Sequence, residues 1–173
     1  MKTYLITGCA GFIGSNFVHY MLKKYPEILL VNLDKLTYAG NLENLKDVEG
    51  DPRHVFVQGD ICDKELVESL FAKYDFDYVI NFAAESHVDR SIKNPEIFVQ
   101  SNVMGTVNLL QRAKEAWYDA DAKPLSSPNI SLNSSAKFSF IAGISSAVAD
   151  HRVMAVLHIR SVHPIRCRRL TDV

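Results

Sequence analysis

Cysteine is scarce in this chain, and no run of apolar residues is long enough to cross a membrane. The three cysteines, Cys9, Cys62 and Cys167, are odd in number and lack metal-ligand spacing, which argues against a disulfide framework and a zinc site. The N-terminus has one lysine, Lys2, and then enters an apolar run, unlike a secretion signal. These absences predict a cytoplasmic protein without a metal site. A length of 173 residues with 47% apolar content suits one globular domain.

Glutamate and tyrosine are missing after residue 122, where the composition changes abruptly. Residues 1–122 carry 12 Lys and Arg against 18 Asp and Glu, whereas residues 123–173 carry 7 against 2. This break predicts a domain over residues 1–122 and a divergent tail over residues 123–173, in which the run 137–146 is the candidate for one added strand. The basic residues of the tail are few and lack interleaved aromatic residues, so neither nucleic acid nor a membrane is the expected partner.

Strands and helices alternate along residues 1–122. Apolar runs predict strands at 4–6, 28–33, 54–58 and 78–84, and helices are predicted after the first strand, at 42–48, at 64–73 and from Pro95 onward. The first helix should present Ile13, Phe17, Tyr20, Met21 and Lys24 on one face, and the last should bury Val99, Val103, Val107, Leu110, Ala113 and Trp117. The alternation predicts an α/β fold, a Rossmann-like doubly wound parallel sheet with ligands at the carboxyl ends of its strands.

A glycine-rich turn follows the first predicted strand. Gly8, Gly11 and Gly14 have the spacing G-x-x-G-x-x-G, which by itself also fits a plain turn. Asp34 ends the second apolar run, 20 residues after Gly14, where a carboxylate can bind the adenosine ribose. Together these features predict binding of a nicotinamide dinucleotide. Asp34 should also repel a 2′-phosphate, which favours NAD over NADP, although the neighbouring Lys35 weakens that inference.

Two further sets of polar residues follow predicted strands. Asp60 and Ile61 follow the third strand and could bracket an adenine ring, the alternative being that Asp60 caps the next helix. After the fourth strand, His87 with Asp89 and Arg90 would either bind a diphosphate-bearing substrate or form a solvated ion cluster. Both sets are expected at the ligand-facing edge of the sheet.

Four segments together resemble the extended short-chain dehydrogenase/reductase family, and within it the dTDP-glucose 4,6-dehydratases. They are residues 7–16, 34–41, 59–63 and 83–91, and the resemblance covers residues 1 to about 122. With the glycine turn included, the implied NAD site is Gly8, Gly11, Phe12, Ile13, Gly14, Asp34, Lys35, Leu36, Thr37, Gly40, Asp60, Ile61, Ala83, Ala84 and Ser86. The resemblance further implies that Ser86, His87 and Arg90 approach a nucleotide sugar of the dTDP-glucose type. It also implies a homodimer formed through the long helix.

The family's lyase reaction oxidises the sugar at C4 by hydride transfer to NAD, eliminates water across C5 and C6, and returns the hydride to C6. It uses a tyrosine four residues before a lysine, and a Thr-Asp-Glu stretch. Here the last tyrosine is Tyr118, the last lysine is Lys137, and Thr-Asp-Glu does not occur. Tyr20 and Lys24 have the required spacing, but they lie on the first predicted helix, where the spacing is coincidental. No catalytic residue is therefore assigned.

Three functional hypotheses remain open. The chain is the cofactor-binding part of an NAD-dependent sugar-nucleotide dehydratase, a non-catalytic NAD-binding fragment, or part of another nucleotide-sugar epimerase or reductase. The abrupt change near residue 122 is expected for a truncated chain whose tail comes from a shifted reading frame or an unrelated fused segment.

Overall fold

The computed structural model of the chain describes residues 1–118 and 153–155, which form a five-stranded parallel sheet. Its strands are β1 (Lys2–Thr7), β2 (Ile28–Asp34), β3 (His54–Gln58), β4 (Tyr78–Asn81) and β5 (Val153–Ala155), in the order β3-β2-β1-β4-β5. The chain builds outward from β1 to β3 and then crosses to the other side with β4. This reversal leaves a crevice at the carboxyl ends of β1 and β4, as in doubly wound sheets. The predicted Rossmann-like fold is confirmed.

Helices connect the strands and follow β4. They are α1 (Phe12–Lys24), a 3₁₀ helix (Leu42–Val48), α2 (Lys64–Lys73), α3 (Val88–Lys93), α4 (Pro95–Phe98), a π-helical segment (Val99–Gly105) and α5 (Thr106–Trp117). The predicted bounds of β3 and α2 agree with the structure, whereas β4 ends three residues before the predicted position 84. The run 137–146 lies outside the described residues. In the described part of the chain, no helix has the length and hydropathy to cross a membrane.

The sheet is covered on both faces, so successive residues of a strand enter different cores. On one face Leu5 packs in a cluster that includes Val67 of α2 and Leu109 of α5. On the other face Ile6 packs in a cluster that includes Val18 of α1. Burial on both faces explains why the central strands read as continuous apolar runs.

The buried face of α1 differs from the predicted stripe. Ile13 and Tyr20 are 38% and 50% exposed, while Met21 is buried as predicted. The helix instead turns Gly14 and Ser15 toward the protein interior. A predicted stripe of large apolar residues misses this face, because close approach to the glycine turn requires small residues there.

The long helix predicted from Pro95 onward is interrupted. The π-helical segment widens the turn at residues 99–105, which displaces the following residues from the 3.6-residue period. Val99, Val103 and Val107 are 55%, 49% and 38% exposed, so the prediction that they belong to the core is wrong. Ala113 and Trp117 are buried as predicted.

Candidate functional site

A cleft opens at the carboxyl ends of the first four strands, where the crevice between β1 and β4 lies. Ten of the candidate NAD-site residues line it: Gly8, Gly11, Asp34, Lys35, Thr37, Gly40, Asp60, Ile61, Ala83 and Ala84. Six lining residues were not in the predicted set: Leu33, Ala39, Gly59, Phe82, Glu85 and Ser101. Most of these six are chain neighbours of predicted residues, and Ser101 comes from the π-helical segment.

The glycine turn joins the floor of the cleft to β4. Gly8 has a φ of +65°, and a Cβ there would lie 2.5 Å from the backbone nitrogen of Ala83. Gly8 therefore allows both the left-handed backbone and the close approach of the two segments. A Cβ on Gly14 would overlap the carbonyl oxygen of Gly8, so Gly14 lies beneath the turn and lets α1 begin against it. Gly11, the N-cap of α1, lines the cleft, so the N-terminus of α1 lies at the cleft wall.

Asp34 is 8% exposed and ends β2 beside the turn. One carboxylate oxygen accepts a hydrogen bond from the backbone N–H of Ala10 and the other from that of Leu36, each at 2.8 Å. A carboxylate has about four acceptor positions, so two remain for further donors. Leu36 has a φ of 55°, a left-handed conformation that is strained for leucine and that the bond to Asp34 helps to hold.

Lys35 and Asp60 form an ion pair across the cleft. The Nζ of Lys35 lies 2.6 Å from one carboxylate oxygen of Asp60, and the other oxygen accepts from the backbone N–H of Cys62 at 2.9 Å. Burial opposes ionisation of Asp60, yet the hydrogen bonds from Lys35 and Cys62 keep its pKa below the ordinary value. Asp63 is the residue that caps α2, accepting from Leu66 N at 3.0 Å. The alternative prediction that Asp60 caps this helix is therefore wrong.

Asn102 and Thr106 connect the helical region to the segment that follows β4. Asn102 forms two hydrogen bonds with the main chain of Glu85. Thr106 donates to the carbonyl oxygen of Asn102 at 2.8 Å, and its hydroxyl accepts from the side chain of the buried Asn81 at 3.4 Å. Thr7 of β1 donates to Asn81 in turn. These residues were missed, although the polar Asn81 within an apolar strand was an available signal.

The candidate substrate residues lie at the rim of the cleft rather than along its wall. Ser86, His87 and Arg90 are exposed. The guanidinium of Arg90 lies 4.1 Å from the ring centroid of Tyr38, and His87 meets the same ring edge-on at 6.2 Å. Burial and the neighbouring Glu85 raise the pKa of the Tyr38 hydroxyl. The rim therefore carries a cationic and aromatic group between the loop after β2 and the start of α3.

Several other predicted residues also lie off the cleft wall. Phe12 is 83% exposed at the start of α1, where Ile13 is also exposed, and Leu36 packs against the α1 core. Tyr20 and Lys24 contact each other on the exposed face of α1, and neither lines the cleft.

Cys9 is fully buried, and burial raises the pKa of its thiol, as expected of a packing residue. Among the described residues, no group of three or more His, Cys, Asp or Glu side chains is arranged to hold a metal ion.

The chain is similar to nucleotide-sugar dehydratases and epimerases. Its residues 5–129 match the family model described as GDP-mannose 4,6 dehydratase. It is 53% identical over 117 residues to dTDP-glucose 4,6-dehydratase of Xanthomonas campestris pv. campestris, covering 68% of this chain and 33% of the relative. The structure of dTDP-glucose 4,6-dehydratase from Streptomyces venezuelae with NAD and TYD bound has a TM-score of 0.61 and 49% identity, covering 66% of this chain and 36% of that one.

A second solved structure, the UDP-Glc/GlcNAc 4-epimerase from Campylobacter jejuni, has a TM-score of 0.61 at 29% identity, covering 67% of this chain and 34% of that one. The chain thus spans about a third of the length of the curated relatives it matches. With more than half of its residues matched by one family model, this chain belongs to the GDP-mannose 4,6 dehydratase family.

Proposed function

We propose that this chain is the NAD-binding part of a nucleotide-sugar 4,6-dehydratase of the dTDP-glucose type. The observation that carries the proposal is the position of Asp34, whose carboxylate lies at the end of β2 and accepts a hydrogen bond from the glycine turn at 2.8 Å. This arrangement offers a ribose acceptor and an anion site next to each other. A dTDP-glucose 4,6-dehydratase with 53% identity supports the choice of reaction.

The cleft residues match the three parts of an ADP group, which are the pyrophosphate, the ribose and the adenine. The turn from Gly8 to Gly11 and the start of α1 would hold the pyrophosphate through backbone N–H groups. Asp34 would accept from the ribose hydroxyls with its remaining lone pairs. Asp60 and Ile61 would border the adenine, one by a polar edge and the other by an apolar surface. When bound, the nicotinamide of NAD supplies a hydride acceptor.

The segment after β4 lines the cleft with residues 82–85 and then reaches the rim, which supports a substrate role for the rim residues. Ser86, His87 and Arg90 are exposed at the rim, where a nucleotide sugar could approach the nicotinamide end. A cation such as Arg90 would pair with a diphosphate. We propose these three residues as contacts of a dTDP-glucose-type substrate.

A second candidate is a non-catalytic NAD-binding module, which the sequence beyond α5 favours. The dehydratase reaction needs positioned acids and bases. No tyrosine follows Tyr118, and no Thr-Asp-Glu occurs in the chain. A third candidate, a nucleotide-sugar epimerase or reductase, is supported by the likeness to the Campylobacter jejuni epimerase.

Coenzyme binding is tested by titrating NAD into the 173-residue chain by calorimetry. The Asp34→Asn variant removes the anionic acceptor at nearly constant size and should weaken NAD binding about tenfold. Asp47→Asn is the matched control, because Asp47 is exposed on the 3₁₀ helix and makes the same change of charge away from the cleft. ADP should compete with NAD. A chain that binds no NAD, or two variants with equal losses, would refute the proposal.

The reaction is tested separately by incubating the NAD-loaded chain with dTDP-glucose. Absorbance of a 4-keto-6-deoxy product would support dehydratase activity of the 173-residue chain by itself. Binding without product would support the module. Interconversion of sugars without loss of water would support the epimerase.

A further inference from the structure

We propose that Asp60 determines the preference for NAD over NADP by holding the side chain of Lys35. The inference rests on the proposed function of the cleft as a dinucleotide site. It concerns Lys35, whose positive charge would otherwise offset the preference for NAD that Asp34 sets. It makes Asp60 a positioning residue for coenzyme selection.

Lys35 stands where a cation can bind a 2′-phosphate. NADP-binding proteins of this fold place a basic side chain near the end of β2, next to the ribose. Lys35 follows Asp34 directly, lines the cleft, and has a side chain that is 57% exposed. A free ammonium there would offset the repulsion between Asp34 and a phosphate. From position alone, the chain would then accept both coenzymes.

The structure directs Lys35 elsewhere. Its Nζ lies 2.6 Å from a carboxylate oxygen of Asp60, whose side chain is 28% exposed. The other oxygen of Asp60 accepts from the backbone N–H of Cys62 at 2.9 Å, so the carboxylate is fixed from a second side. The ammonium is thus engaged by an oriented partner. The hydrogen bond to Asp60 also raises the pKa of Lys35.

The position of the pair follows from the sheet. Asp34 ends β2 and is in register with Gln58 at the end of β3. Lys35 and Asp60 therefore leave adjacent strands at the same edge, where their side chains can meet across the cleft. If Lys35 turned toward a phosphate, the ion pair between Lys35 and Asp60 would break. Loss of the cation would leave Asp60 with an unpaired charge.

The charge balance at the ribose then excludes a 2′-phosphate. Asp34, Lys35 and Asp60 together carry a net charge of −1, with the cation already neutralised by Asp60. A ribose 2′-hydroxyl is neutral and can donate to Asp34. A 2′-phosphate is anionic, cannot donate when ionised, and would meet the same carboxylate. The ion pair with Asp60 therefore keeps Lys35 from binding a 2′-phosphate, and the cleft favours NAD.

Four proteins test this inference: the unaltered chain, Asp60→Asn, Lys35→Met and the double variant. Calorimetry gives the Kd of each for NAD and for NADP. Asp60→Asn should raise NADP affinity relative to NAD about tenfold, because it releases Lys35. Lys35→Met alone should change the ratio by less than about twofold, and the double variant should return to the ratio of the unaltered chain. Adenine contacts are common to both coenzymes and cancel in the ratio.

Glu43→Gln is the matched control, because it breaks the exposed ion pair between Glu43 and Lys46 on the 3₁₀ helix with the same change of charge. An unchanged ratio in Asp60→Asn, or an equal shift in Lys35→Met, would overturn the inference while NAD binding itself remains. Absence of NAD binding by the unaltered chain would overturn the proposed function together with the inference. Urea unfolding of each variant verifies that the fold is retained.

Discussion

Asn102 holds the main chain of Glu85 by two hydrogen bonds of 2.8 Å, its Oδ1 accepting from Glu85 N–H and its Nδ2 donating to the Glu85 carbonyl. The amide thus pairs with both polar groups of one residue, as a neighbouring strand would. It acts from the π-helical segment on the chain that continues β4 into the cleft wall. Asn102 therefore sets the direction of the segment that leads to the candidate substrate residues.

Replacing this amide should destabilise the protein. Asn102→Leu keeps a similar volume but leaves two main-chain groups of Glu85 without a partner, which should lower the free energy of unfolding by about 1–3 kcal/mol. Urea unfolding measures the loss. Gln100→Leu, at an exposed position of the same segment, should change it by less than about 0.5 kcal/mol. Equal losses in the two variants would contradict the role assigned to Asn102.

Gly40 should be required for the position of Asp34. A Cβ at residue 40 would lie 2.8 Å from an Asp34 carboxylate oxygen and 3.0 Å from the Cα of Leu36. Gly40→Ala should therefore displace the carboxylate and weaken NAD binding about tenfold, as read by calorimetry. Gly50→Ala is the control, because a Cβ there meets nothing within 4 Å. Unaltered affinity in Gly40→Ala would show that Asp34 is not held in the way described.

His54 should make stability depend on pH. Burial lowers the pKa of its imidazole, and His19 also lowers it, whereas Asp51 and Glu49 act in the opposite direction. Because the folded pKa lies below the unfolded value of about 6.5, the unfolded chain takes up a proton first as the pH falls. The contribution to stability is thus present above about pH 6.5 and is lost as the pH falls toward the folded pKa.

Urea unfolding at about pH 7.5 and about pH 5.5 measures this effect. The loss of stability between the two conditions should be larger in the unaltered chain than in His54→Gln, which cannot titrate there. His19→Gln should retain most of the loss, because His54 keeps the burial that is the largest cause of its lowered pKa. An identical pH dependence in the unaltered chain and His54→Gln would exclude His54 as its source.

Trp117 should anchor the end of α5. It is 7% exposed, and its Nε1 donates to the carbonyl oxygen of Phe76 at 2.7 Å. Trp117→Phe removes this donor and part of a buried ring, so the free energy of unfolding should fall by about 2–4 kcal/mol. Circular dichroism is the suitable probe, because the chain has one tryptophan and the variant has no tryptophan fluorescence. A loss under about 0.5 kcal/mol would contradict the anchoring role.

The fold was predictable because the alternation of apolar runs and helical periods survives in the structure. The bounds of β3 and α2 follow from polar residues at their ends. The exposure of Val103 and Val107 was not predictable, because a π-helical segment changes the angular spacing without a distinct residue signature.

At the site, residues that belong to the glycine-turn and strand-end pattern were found, while residues outside that pattern were missed. Asp34 and Gly8 belong to a recognisable pattern of spacing and residue type. Asn102 is far from the cleft pattern in sequence, and its role depends on which carbonyl and N–H it meets. Phe12 matched the family segment, but its exposure depends on the rotation of α1.

The hydrogen bond from Ala83 N–H to the Thr7 hydroxyl joins residues that are 76 positions apart in the chain. The floor of the cleft therefore forms only after β4 has paired with β1. Coenzyme recognition should emerge late in refolding, after β1 and β4, which are distant in sequence, have paired. The rate at which NAD affinity recovers during refolding would thus report the rate at which the centre of the sheet assembles.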